Sequence, residues 1–177
     1  NAQGFTLSKR EKTAKEQLLP NASLADGLLS MGCVQFGEFT LKSGLVSPIY
    51  IDLRRLVGFP GWMAQVADAY LRQLGDLTFD CIAGLPYAAL PIAAAVSLRG
   101  DIPMIYPRKE SKDYGTAAQI EGVFQEGETV AVIDDLATTG GSKFEAIEKL
   151  TAAGLTVRDV VVLIDRESGA REALADA

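Results

Sequence analysis

Apolar positions along the chain fall into short runs, and the runs switch between the period of a strand and that of a helix. Ser23 can cap a short helix running through Met31, with Gly32 closing it. Phe36–Leu41 and Pro48–Leu53 read as two strands around the Lys42-Ser43-Gly44 turn. Pro60 opens a helix in which Trp62, Val66, Ala69 and Tyr70 share one face. Cys81–Leu85 reads as a short apolar strand, Leu90–Leu98 as a buried helix and Met104–Tyr106 as another strand. Arg108–Gln119 is polar, contains Gly115 and has no apolar period, so a mobile functional loop is expected there. Thr129–Ile133 is a continuous apolar strand. A helix from Ser142 to Ala153 follows, with Phe144, Ile147 and Leu150 as its core face and Gly154 as its stop. Val160–Ile164 is the last clear strand, and Ala173–Ala177 looks helical. Strands that alternate with helices, and that are apolar without polar alternation, predict an α/β fold with a mainly parallel sheet covered on both faces.

Residues 1–20 stand apart from this pattern. They are polar, with Lys9, Arg10, Lys12 and Lys15 partly balanced by Glu11 and Glu16, and read as a solvated tail or surface helix. Residues 21–177 are then one domain, which suits a chain of 177 residues. The chain opens on Asn1 without methionine, and its last helical residues carry no stop, which suggests a non-native start and a truncated end.

Charge and composition narrow the chemistry. A net charge of -6 argues against a general nucleic-acid or anionic-membrane binder, because both surfaces are negative. The uncharged run Cys81–Leu98 raises a membrane question, but Gly84, Pro86 and Pro91 break it into strand, turn and helix. No secretory leader is visible, and Cys33 and Cys81 read as buried thiols in a reducing cytoplasm. The chain has no histidine, so Ser-His-Asp and Cys-His catalysis and any His/Cys zinc site are excluded.

The most informative stretch is Val130–Ser142, VAVIDDLATTGGS. An apolar strand delivers Asp134 and Asp135 at its C-terminal end, where parallel sheets bind ligands. The loop Leu136–Gly141, spanning Leu136, Ala137, Thr138, Thr139, Gly140 and Gly141, is small and hydroxylated and opens directly onto a helix. Free N–H groups at a helix start surround a phosphate well, and Thr138, Thr139 and Ser142 can add hydroxyl donors. Two acids would repel that phosphate unless sugar hydroxyls lie between, so the pair is expected to accept from a ribose. The glycine-lysine-serine/threonine signature of a Walker loop is absent. Arg108, Lys109 and Lys112 lie close together on the expected loop, suited to a highly charged leaving group.

VIDDLATTGGS resembles the phosphoribosyl pyrophosphate (PRPP) motif of type I phosphoribosyltransferases. Four further segments, FTLKSGLVSPIYIDLR (Phe39–Arg54), GLPYAALPIA (Gly84–Ala93), RKESKDYGTAAQIEG (Arg108–Gly122) and VLIDRESG (Val162–Gly169), resemble orotate phosphoribosyltransferase in particular. The resemblance implies the type I phosphoribosyltransferase fold, with a small hood from the N-terminal segment and a mobile catalytic loop. It implies conversion of orotate and PRPP to orotidine 5'-monophosphate and pyrophosphate in UMP biosynthesis, with Mg²⁺ held mainly by PRPP and water. Lys109, Lys112, Asp134 and Asp135 are its implied catalytic residues. Lys42, Tyr87, Ala88, Arg108, Lys109, Lys112 and Tyr114 join Asp134–Ser142 around PRPP, while Tyr50, Ile51, Thr138 and Arg166 hold orotate. It also implies a cytoplasmic homodimer in which Lys109 reaches the neighbouring subunit's site.

Taken alone, Lys42 is an ordinary turn lysine, Tyr50 and Ile51 are strand core, and Arg166 is an arginine held by Asp165 and Glu167. Ala88 and Tyr114 depart from the lysine and histidine usual in stand-alone bacterial members and match the transferase domain of bifunctional UMP synthases. A transferase for another base, or a PRPP-sensing transcriptional regulator, would keep the PRPP motif. The first should lack the Lys42 and Arg166 segments, and the second should carry a DNA-binding segment.

Overall fold

The computed structural model describes residues 23–40, 44–109, 119–138 and 141–175. A five-stranded sheet has the order β5-β4-β3-β6-β7, built from Ile120–Glu121, Met104–Pro107, Cys81–Gly84, Thr129–Ala137 and Thr156–Asp165 respectively. Strands β3, β4, β6 and β7 are parallel to their neighbours, and the short edge strand β5 runs antiparallel to β4. Four parallel strands therefore end at the same edge. A separate two-stranded antiparallel hairpin, β1 (Val34–Thr40) and β2 (Val46–Ile51), forms the expected hood with helix α1 (Leu24–Ser30).

The helices start where local chemistry lets them. Ser23 accepts from the Asp26 N–H while the Asp26 carboxylate accepts from the Ser23 N–H, a reciprocal cap on α1. Pro60 begins α2 (Pro60–Leu74), where its missing N–H would have had no helical partner. Helix α3 (Ala89–Gly100) tolerates Pro91 for the same reason, since that residue falls in its first turn. The uncharged run is thus a strand, a turn and a helix, and among the described residues no helix is long and apolar enough to cross a membrane. Helix α4 (Gly141–Ala152) precedes β7, and Gly154, at φ +85°, makes the turn between them. A short helix α5 (Ala170–Ala175) follows β7.

Two apolar clusters sandwich the sheet. On one face Ile82, Ala131 and Ile133 meet Val66, Ala67 and Tyr70 of α2 and Ile92, Ala93 and Val96 of α3. On the other, Cys81, Ala83, Val130 and Val132 meet Ala146 and Leu150 of α4. Successive residues of β6 alternate between the faces, as a pleated strand requires.

Several expected boundaries move. Strand β6 runs on through both acids because its neighbour β7 is long enough to pair with it as far as Ala137↔Asp165. The hairpin lies nearer the N-terminus than expected, with Val34 opposite Ile51. On α2, Ala67 is buried where Ala69 was expected, and Ala69 is half-buried. On α4 the buried residues are Lys143, Ala146 and Leu150, while Phe144 and Ile147 are only half-buried. The apolar pattern misjudged that face because a lysine occupies it. The expected loop keeps only its ends among the described residues: Arg108 and Lys109 after β4, and Gln119 before β5.

Candidate active site

Residues drawn from separate parts of the sequence meet at the C-terminal edge of the parallel strands. Strand β3 leads into Tyr87 and Ala88, β4 into Arg108 and Lys109, β6 carries Asp134–Ala137 and then Thr138, and β7 leads into Arg166. Gly84 lets this edge close tightly, since a Cβ there would sit 2.7 Å from the Ala93 Cβ of α3. The Leu85 N–H donates to the Ile133 carbonyl at 3.0 Å, and the Arg166 N–H to the Ala137 carbonyl at 3.0 Å. These bonds pin the β3 and β7 connections to the strand that bears the acids.

The two acids have different surroundings. Asp134 points to the α4 face and is 6% exposed. Its Oδ2 accepts from Lys143 Nζ at 2.7 Å, and its Oδ1 accepts from the Asp135 N–H at 3.0 Å. Lys143 also donates to the Leu136 carbonyl at 2.8 Å. From the opposite face the Tyr70 hydroxyl donates to the Asp134 carbonyl at 2.6 Å. Asp135 is half-buried, and its carboxyl is pushed up to about 6, first by burial, then by the negative charge of Asp134 and a hydrogen bond with that side chain.

At the β4 end, Arg108 is committed to the sheet. Its Nη1 donates to Glu121 Oε1 at 2.7 Å, and its N–H to the Gln119 carbonyl at 2.7 Å. Lys149 of α4 donates to the Arg108 carbonyl at 2.7 Å and the Lys109 carbonyl at 3.3 Å. Lys109 Nζ sits 4.8 Å from the centre of the exposed Tyr87 ring, a cation–π contact within its own chain. A cavity of about 420 Å³, a size suited to a small ligand, opens between Pro86, Tyr87, Leu90, Tyr106, Lys109 and Glu121.

The remaining expected residues are distributed as follows. Thr138 is half-buried beyond β6, and Gly141 opens α4 with Ser142 in its first turn. Ala88 is the N-cap of α3 and makes no side-chain cap, so only its backbone is available to a ligand. Arg166 is exposed and forms no ion pair among the described residues, so Asp165 and Glu167 do not hold it. Tyr50 and Ile51 lie at the end of β2. The Tyr50 ring stacks on Phe39 at 5.4 Å, and Ile51 packs against the core of the α2 and α3 face. Lys42, Lys112, Tyr114, Thr139 and Gly140 lie outside the described residues.

Sequence reasoning missed Lys143, Lys149, Glu121 and Tyr70. A trace of Lys143 was available, since Lys143, Ala146 and Leu150 fall on one helical stripe. Cys33 and Cys81 are both unbonded and buried, and burial raises both thiols, Cys81 to about 11, so neither is a ready nucleophile.

No protein-family model matches the chain. It is 44% identical over 158 residues to an orotate phosphoribosyltransferase of Natronomonas pharaonis, covering 89% of this chain and 90% of that protein. It is 46% identical over 147 residues to the bifunctional enzyme PyrF/PyrE of a Nostoc species, covering 83% of this chain but only 31% of that protein. The crystal structure of orotate phosphoribosyltransferase from Aeropyrum pernix superposes with a TM-score of 0.78 at 40% identity, covering 87% of this chain and 88% of that one.

Proposed function

The chain belongs to the orotate phosphoribosyltransferase family, with its type I fold, and on that footing we propose that it joins orotate to the phosphoribosyl group of PRPP. The products are orotidine 5'-monophosphate and pyrophosphate, and the reaction serves pyrimidine nucleotide synthesis. The observation that carries this reading is the meeting, at one sheet edge, of an acid pair, a helix start, two cationic residues and an unpaired arginine.

Each group has a task that its chemistry suits. The start of α4 and the Thr138 hydroxyl receive the 5-phosphate, with Leu136, Ala137, Thr139, Gly140, Gly141 and Ser142 completing the cradle through backbone and hydroxyl donors. Asp135, with Asp134 beside it, accepts from the ribose hydroxyls. Pyrophosphate lies toward Tyr87, the Ala88 N–H, Arg108 and Lys109, and Lys42, Lys112 and Tyr114 join it from outside the described residues. Orotate lies against Tyr50, Ile51 and Thr138, with its carboxylate taken by the planar fork of Arg166. The ring N1 loses its proton to water and gives its electron pair to ribose C1 as the bond from C1 to the pyrophosphate oxygen breaks. Pyrophosphate leaves with the electron pair of that broken bond through a ribosyl-cation-like transition state, and no covalent enzyme nucleophile is needed.

Among the described residues no three metal-binding side chains gather. Mg²⁺ enters this reading, as the family resemblance implies, as an ion that would be carried by PRPP oxygens and water, a mode this hard cation favours, and would neutralise charge on the leaving group. The transferase unit is taken as residues 21–177, with residues 1–20 a tail or surface helix outside it. The two unbonded thiols suit a cytoplasmic location.

A homodimer, as the family resemblance implies, completes the proposal. Lys109 would leave Tyr87 to serve the neighbouring site. Mixing Lys109→Ala protein with Asp134→Asn/Asp135→Asn protein should then restore partial activity, because one site per heterodimer is intact. A monomer in solution, or no recovery after proven exchange, refutes the sharing. The reaction itself is tested by the loss of orotate absorbance with PRPP and Mg²⁺ present. Turnover of uracil in place of orotate, or no loss of orotate, would overturn the assignment.

A further inference from the structure

Lys143 has no task in the proposed transfer, yet it sits in the middle of the site. It lies in the first turn of α4 at 2% exposure. A lysine is almost never so buried without a partner. Its Nζ has two, Asp134 Oδ2 at 2.7 Å and the Leu136 carbonyl at 2.8 Å. One ammonium thus ties the end of β6 to the start of α4, the two segments that flank the expected phosphate loop.

The charges around the acid pair come from few directions. Strand β6 supplies Asp134 and Asp135, and α4 supplies Lys143. Helix α2 supplies only the Tyr70 hydroxyl, bonded to the Asp134 carbonyl and raised by burial. In register, β7 sets Val162 beside Asp134 and β3 sets Gly84 beside Ile133, neither of them ionisable. Lys143 is therefore the positive charge bonded to the pair. Both Asp134 oxygens are already engaged, one by this ammonium and one by the Asp135 N–H. Asp135 is half-buried and makes no ion pair among the described residues.

We propose that Lys143 is a positioning residue that divides the two acids between different tasks. By neutralising and anchoring Asp134, it makes that acid a fixed support of the strand end. Asp135 is left as the carboxylate that meets the sugar hydroxyls. With the ammonium in place the negative charge of Asp134 still raises Asp135; without it that charge would bear on Asp135 undiminished beside the phosphate cradle. The kinetic side of this inference rests on the proposed transfer, and the titration side does not.

The decisive measurement is the titration of the Asp135 carboxyl by ¹³C NMR in the ligand-free chain, with the resonance assigned through Asp135→Asn. Lys143→Met keeps most of the side-chain volume and removes the ammonium, so Asp134 then acts on Asp135 uncompensated. The Asp135 midpoint should rise by about one pH unit. Asp134→Asn leaves the ammonium without its acid, and the midpoint should fall by about one pH unit. The fall in Asp134→Asn follows from loss of the neighbouring charge alone, so Lys143→Met is the deciding variant, and an unmoved Asp135 midpoint in it overturns the proposal. Should Lys143→Met fail to fold, Lys143→Gln, which removes the charge and keeps a donor for the Leu136 carbonyl, is read in its place. In turnover, Lys143→Met should raise the PRPP KM about tenfold, the equivalent of one charge-assisted hydrogen bond, with orotate KM held. Equal rises in both KM values would also overturn the positioning role. If the unaltered chain shows no transfer at all, the function reading fails and the Asp135 midpoint in the Lys143 variant still decides this inference.

Discussion

The two faces of the central sheet are built from different material. The face under α2 and α3 is packed with large apolar side chains and closed by the hood. The face under α4 carries a smaller apolar cluster and, nearer the site, a buried ion pair and a lysine bonded to backbone carbonyls. The first face holds the strands together. The second aims the acids and the Arg108–Lys109 segment at the sheet edge. Because β6 alternates between them, each of the adjacent acids belongs to a different face, and identical side chains acquire different electrostatics.

The largest effect should come from the apolar face. Ile133 is fully buried one residue before the acids. Ile133→Ala should cost about 2–5 kcal/mol in urea unfolding, because the cavity cannot fully collapse. A cost below about 1 kcal/mol would mean that this face does not carry the stability.

Asp135→Asn tests the functional side, and its two effects should oppose each other. Loss of a charged acceptor should slow turnover about 10- to 150-fold, equivalent to about 1.5–3 kcal/mol. Stability should move the other way. The folded carboxyl is raised to about 6 from 3.8, so its contribution is fully present below about pH 4 and is lost as pH rises through about 6. Partial exposure discounts that loss to about 1 kcal/mol. Asp135→Asn should therefore unfold at higher temperature than the unaltered chain at pH 7.5 and at the same temperature near pH 3.5. A variant equally stable at both pH values, relative to the unaltered chain, would remove the strain assigned to Asp135.

Arg166 belongs to neither face, and its substitution should affect one substrate only. Arg166→Lys keeps the charge and loses the fork, so orotate KM should rise about tenfold, and Arg166→Ala should raise it further. PRPP binding by calorimetry should hardly change. If PRPP binding falls as much as orotate binding, Arg166 is structural.

The smallest effect should come from Lys149→Met. It removes the bonds to the Arg108 and Lys109 carbonyls, worth about 0.5–1.5 kcal/mol. The kcat for orotate should fall a few-fold, and stability should fall by no more than that energy. An unaltered kcat would confine the aiming role of the α4 face to Lys143.

Much of this was legible in the chain, because the informative patterns are local. Strand, turn and helix succeed one another within a few residues around Asp134 and Asp135, and Pro60 and Ser23 mark helix starts by their own backbone chemistry. The order of apolar runs was enough to expect a parallel sheet, and its C-terminal edge to expect a ligand. What could not be read was which face each residue would take. The stripe through Phe144, Ile147 and Leu150 looked like the core side of α4, yet the helix turned by about one residue, roughly 100°, to bury Lys143. Nothing in a lysine's own character predicts burial. It depends on a carboxylate and a carbonyl that the folded sheet brings within reach. Strand β5 escaped notice for a similar reason, since two residues have no period and exist as a strand only by pairing with β4. Composition and local pattern determined the layers and the acid motif. Long-range packing alone decided which acid is neutralised and which is left for the ligand, because the cost of burying a charge is set by its neighbours in space.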